Sequence, residues 1–73
     1  MSDYTLNTAN ELADLALAEA MAYGDDKIVD QIGEILGASS QSLQEAYLTA
    51  VRVRRAEARA RELLAASAAK RGA

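Results

Sequence analysis

The sequence predicts an all-α domain in which two short helices pack on a long C-terminal helix, with copies associating through that long helix. Three observations lead there. Apolar residues recur at steps of three and four along most of the 73 positions, the spacing of a helix face rather than the alternation of a strand. The chain has no proline, and Gly24 and Gly37 fall between the periodic runs, where breakers belong. The segment "RRAEARARELLAASAAKR" consists almost wholly of strong helix formers.

Helix 1 is expected over residues 9–23. Thr8 and Glu11 have the spacing of a capping box, and Gly24 supplies the left-handed stop. The expected inward arc gathers Ala9, Leu12, Ala13, Ala16, Leu17, Ala20 and Met21, with Thr8, Glu11, Asp14 and Ala18 opposite. Helix 2 is expected over 26–36, capped by Asp25 or Asp26, whose charge opposes the positive end of the macrodipole. Ile28, Val29, Ile32, Ile35 and Leu36 form its apolar side, and Gly37 ends it. Gly33 lies in its interior at a cost of up to about 1 kcal/mol relative to alanine, which predicts another backbone close by.

Helix 3 is expected over 40–69, capped by Ser39 or Ser40, or later by a competing box from Ser42 to Glu45. About thirty residues make a rod near 45 Å long, more than the two short helices cover, so its distal half is predicted to project or to meet a partner. A heptad-like seam, Leu43, Ala46, Ala50, Val53, Glu57, Ala60 and Leu64, runs along it and predicts a coiled-coil contact. Glu57 interrupts that seam, with Arg54 or Arg61 on its flank to answer the charge.

Composition bounds the rest. Residues 1–73 make one small domain, and much of its apolar content is alanine, so its own core is marginal and a homo-oligomer is expected. There is no cysteine or histidine, which removes disulfides, thiolate metal sites and the commonest acid–base catalyst. Asp26, Asp30 and Glu34 recur at four-residue steps but bring no calcium-loop motif. No catalytic residue, cofactor, metal or small-molecule substrate is expected, and Tyr4, Tyr23 and Tyr47 read as packing groups. The most apolar run is interrupted by Asp14 and Glu19, and the first ten residues lack a signal pattern. Both point away from the membrane and to the cytoplasm, of a bacterium or of a phage-infected cell. Residues 1–50 carry nine acids and one base, Lys27, whereas residues 51–73 carry seven bases and two acids. Such asymmetry fits a basic tail that meets phosphate, or an acidic half that meets the basic half of a neighbour.

Within "QIGEILGASSQSLQEAY", residues 31–47, Ile32 and Leu36 are spaced as buried positions. Gly33 stands where a second helix would cross, Gly37 at a turn, and Ala38 where it would plug that turn. Leu43 and Ala46 would anchor the next helix. This arrangement over residues 29–48 resembles the helix-turn-helix of sigma-factor promoter-reading domains and quorum-sensing regulators. The resemblance implies that Ser39, Ser40, Gln41, Gln44, Glu45 and Leu48 face the major groove of double-stranded DNA, where glutamine can pair with adenine. Unlike those families, the chain places no Arg or Lys among these positions. Gln41, Gln44, Leu48, Arg52, Arg55 and Arg59 nonetheless share one side of helix 3, so Arg52, Arg55 and Arg59 are the candidate phosphate contacts. A solvated face with internal pairing, such as Arg59 with Glu62, is the alternative for these charges. Two functions follow. One is a small non-enzymatic DNA-binding protein, such as a transcriptional regulator, using Ser39, Ser40, Gln41, Gln44, Arg52, Arg55 and Arg59. The other is a helical assembly module, of the kind found in phages or filaments, associating through its acidic helices, its basic rod and the seam of Leu43, Ala46, Ala50, Val53, Ala60 and Leu64.

Overall fold

A computed structural model describes residues 2–72, and these form three helices: α1 over Asp3–Tyr23, α2 over Lys27–Ser39 and α3 over Gln41–Gly72. No helix among them is long and apolar enough to cross a membrane. The molecule is elongated, 52 × 28 × 13 Å, and α3 at 32 residues accounts for that length at 1.5 Å per residue.

α1 begins six residues before the predicted start. Ser2 is an earlier cap: its Oγ accepts from the Thr5 amide at 3.2 Å, and Asp3 occupies the first turn, favourable at the positive end of the dipole. The Thr8–Glu11 box therefore lies inside the helix. At the other end Gly24 takes φ 65°, ψ 29°, and the Gly24 and Asp25 amides both donate to the Ala20 carbonyl, the left-handed stop predicted there. Asp26 is the N-cap residue of α2 but makes no side-chain cap bond; Asp25 before it supplies one, its Oδ1 accepting from the Lys27 amide at 2.9 Å.

The largest departure from expectation is at the second junction. α2 does not end at Gly37; it continues to Ser39, and Gly24 is the one described residue with positive φ. Glycine stops a helix by turning left-handed, and Gly37 stays helical. The joint is Ser40 alone, extended at φ −154°, ψ 104°. Its amide donates to the Leu36 carbonyl at 2.7 Å, its carbonyl accepts from the Gln44 amide at 3.0 Å, and its Oγ accepts from the Leu43 amide at 3.2 Å. One serine thus closes α2 and caps α3, leaving no role for the box starting at Ser42. α3 then runs unbroken past Val51 and three residues beyond the predicted end at Ala69.

The core is an alanine ladder. Ala9, Ala13, Ala16 and Ala20 of α1 are buried in one cluster with Ala46, Ala50 and Val51 of α3 and Val29 of α2. Small side chains let helix axes approach closely, so contact here replaces the bulky groups that the sequence lacks. Tyr47 is the large exception: fully buried, it fills the space between α2 and α3 and donates its hydroxyl to the Val29 carbonyl at 2.7 Å. The expected inward positions Met21 and Ile35 instead face solvent, as do Tyr4 and Tyr23. With the ladder occupying α1 and Val29 and Gly33 turned inward on α2, the rims of both apolar arcs are left outside.

A candidate interaction surface on the long helix

Both interior glycines of the "IGEILG" run are explained by α3 lying over α2. A Cβ on Gly33 would meet the Tyr47 ring and Leu48 Cδ2 at 3.6 Å, so side chains, not the predicted backbone, lie closest to it. A Cβ on Gly37 would overlap the Gln44 carboxamide, with its Cδ only 2.6 Å away. Gln44 reaches through that gap to donate Nε2 to the Gly33 carbonyl at 2.9 Å. These two glycines therefore serve packing, and Ser40 is the one residue between α2 and α3. Ile32 and Leu36 pack partly buried against the core, as do Leu43 and Leu48, whereas Ala38, the expected plug, is exposed.

The residues expected to read DNA are divided by this arrangement. Ser39 is exposed in the last turn of α2, and Ser40 is half-buried in its capping role. Gln41 is exposed and donates to Glu45 Oε1 at 3.3 Å, while Gln44 is occupied on Gly33. Arg52, Arg55 and Arg59 are exposed. Arg55 Nη2 stands 3.7 Å from Asp26 Oδ1, a loose surface pair worth little. Arg52 and Arg59 form no ion pair among the described residues, and the predicted Arg59–Glu62 pairing is not formed; Arg61 binds Glu57 instead at 2.8 Å.

The seam is likewise divided. Ala46 and Ala50 are buried against α1 and Leu43 is partly buried, so these positions belong to the core of the chain itself. Val53, Ala60 and Leu64 are exposed. Every residue from Arg55 to Gly72 is exposed, about 27 Å of helix hereafter called the arm. Its face toward solvent includes Leu63, 72% exposed, and Leu64, 69% exposed.

Arg54 anchors the base of the arm, a role the sequence did not reveal. Its Nε donates to Asp14 Oδ1 at 2.5 Å and its Nη2 to Oδ2 at 3.3 Å. The same guanidinium reaches the Ala50 carbonyl at 3.2 Å and the Asn10 carbonyl at 3.4 Å. The fork geometry of arginine suits such bidentate binding. The hydrogen bond from Arg54 holds the Asp14 carboxyl below its ordinary range; desolvation opposes it, and the charge of Arg54 adds a lesser lowering. Partners forty residues apart leave no local sequence signal. Burial, reinforced by the nearby negative charge of Asp30, raises the Tyr47 hydroxyl above its ordinary pKa.

No three acidic residues converge in a metal-binding arrangement among the described residues. A shallow groove beside the base of the arm is lined mostly by apolar residues, Leu6, Ala46, Ala50 and Val53 among them, with Glu45 and Arg54 as its charged residues. No protein-family model matches this chain, and no curated protein or solved structure matches it.

Proposed function

We propose that this chain is a non-enzymatic helical assembly module, in which a compact three-helix body holds the distal half of α3 outward as a docking arm for protein surfaces. The observation that carries this reading is the full exposure of residues 55–72, adjacent leucines included. Beyond Arg55, which pairs loosely with Asp26, this helix is left open to solvent, and an exposed apolar stripe of this kind marks an interaction surface. The excess of arginine on the arm supports an acidic partner. Light scattering tests it: the chain forms particles heavier than a monomer, and Leu63→Ser/Leu64→Ser reduces them to monomer while circular dichroism stays helical. A monomeric wild-type chain at every concentration and salt level overturns the proposal.

DNA binding is the second reading, favoured by the exposure of Arg52 and Arg59 without ion-pair partners. It draws no support from Gln44, which is engaged on Gly33, and Glu45 lies among the groove-facing positions. On this reading Ser39, Gln41, Arg52, Arg55 and Arg59 remain the available contacts. A low-salt mobility shift with duplex DNA that disappears in Arg52→Ala/Arg55→Ala supports it; no shift at low salt removes it.

A further inference from the structure

We infer that the arm docks on the outward face of α1 of a second copy of this chain; this rests on the assembly reading and names its partner. The docking stripe differs from the seam expected from sequence. Val53, Ala56, Ala60, Leu63 and Ser67 follow one another at steps of three and four, with Leu64 beside them, and all six are exposed. Such steps keep side chains on one face of a helix. The stripe is apolar up to Leu64, and the small Ser67 closes it toward the tip. Its face lies roughly a quarter-turn from the sector of Ala46, Ala50 and Arg54 that α1 of the same chain occupies. Nothing among the described residues covers it.

Charge selects the occupant. Arg52 and Arg59 border the stripe and are free of ion pairs among the described residues, and Glu57 on its other edge is already held by Arg61. Two such stripes facing each other would bring basic flanks together, an unfavourable contact. The outward face of α1 has the opposite character. Glu11, Leu15, Ala18 and Ala22 succeed one another at steps of four, three and four, all exposed, with Glu19 alongside. They lie opposite the buried ladder of Ala9, Ala13, Ala16 and Ala20. Leu15 is 56% exposed, and the small Ala18 and Ala22 leave room for leucines to seat between them. At 1.5 Å per residue the face from Glu11 to Ala22 spans about 16 Å, the same as the stretch of the arm from Arg52 to Leu63. Set parallel with Arg52 against Glu11, the contact brings Ala56 to Leu15, Arg59 beside Ala18 and Glu19, and Leu63 to Ala22. It uses two different faces, so it either closes reciprocally between two copies or propagates.

Paired charge reversals in the full-length chain test this. Arg52→Glu/Arg59→Glu alters the arm, and Glu11→Lys/Glu19→Lys alters α1. All four residues are exposed, so helicity by circular dichroism is expected to stay unchanged in both variants. By sedimentation equilibrium at low salt the wild type is expected at two copies or more. Each variant alone is expected to associate about tenfold or more weakly, and an equimolar mixture of the two to recover, since every arm then finds an α1 face of opposite sign. If the α1 variant associates as the wild type does while the arm variant does not, docking on α1 is overturned and assembly through the arm stands. A mixture that stays dissociated also overturns it. A monomeric wild type overturns both this inference and the assembly reading.

Discussion

Gly37 lies directly beneath the carboxamide of Gln44, and the absence of a side chain there is what lets Gln44 bind the Gly33 carbonyl at 2.9 Å. Helical φ at Gly37 means that the glycine is needed for room, not for a left-handed turn. The residue expected to stop α2 is instead the seat for a side chain of α3. Ser40, three residues later, performs the stop. This relationship gives Gly33 and Gly37, the most demanding positions of that segment, a packing role between α2 and α3.

Gly37→Ala and Gln44→Ala are therefore coupled. Alanine at position 37 gains up to about 1 kcal/mol of helix propensity, but displaces the Gln44 amide and forfeits a bond worth about 0.5–1.5 kcal/mol. In the wild-type background the two effects nearly cancel. In a Gln44→Ala background the propensity gain is expected in full, a non-additivity of about 1 kcal/mol. Urea unfolding of the four chains measures it, and additive values would show that the two residues do not compete for this space.

Gly33→Ala behaves differently. Its Cβ meets Tyr47 and Leu48 at ordinary contact distance, and the carbonyl that Gln44 uses is retained. The substitution is expected to stabilise the fold by about 0.5–1 kcal/mol, read as a higher urea midpoint. Destabilisation would mean that α3 lies closer to α2 than described.

Tyr47 connects stability to alkaline pH. Its folded pKa lies above the ordinary 10.0, so the unfolded chain releases this proton first as pH rises. The stability contributed by the neutral buried hydroxyl is complete below pH 10.0 and is lost as pH climbs through the raised folded value. Tyr47→Phe removes the bond to Val29, at a cost of about 1 kcal/mol at neutral pH. It also flattens the alkaline decline. An unchanged decline in Tyr47→Phe would assign it to another group.

Asp14 and Arg54 give the opposite slope. The Asp14 pKa lies below 3.8 because Arg54 binds the charged form. Its stabilising contribution is present above about pH 4 and disappears as pH falls through the lowered folded value. Carboxyl chemical shifts should place Asp14 below 3.8 in the wild type and return it toward 3.8 in Arg54→Gln. No movement in Arg54→Gln would mean that the clasp does not hold in solution.

Three helices, their order and the overreach of the third were legible from periodicity alone, because amphipathic spacing and missing prolines act locally. Gly24 was legible as well, since a glycine after a periodic run with nothing above it takes the left-handed form. Gly37 looked the same in sequence and behaved otherwise, because its conformation depends on Gln44 arriving from another helix. The start of α1 was misplaced where two local caps competed and the earlier, Ser2, extended the helix. Arg54 could not be read: Asp14 is forty positions away, and only the approach of α1 to α3 brings them together.

The amino-acid sequence by itself determined a helical chain with an acidic first part, a basic last part and a rod longer than its body, since each depends on composition and neighbours a few residues apart. Tertiary packing alone decided which side of that rod is used for the core and which is left open. Ala46 and Ala60 belong to one heptad pattern, yet the first is buried in the cluster with α1 and the second is bare, because the helix that crosses the first does not cover the second. Burial depends on what lies across from a residue, which spacing along one helix does not encode.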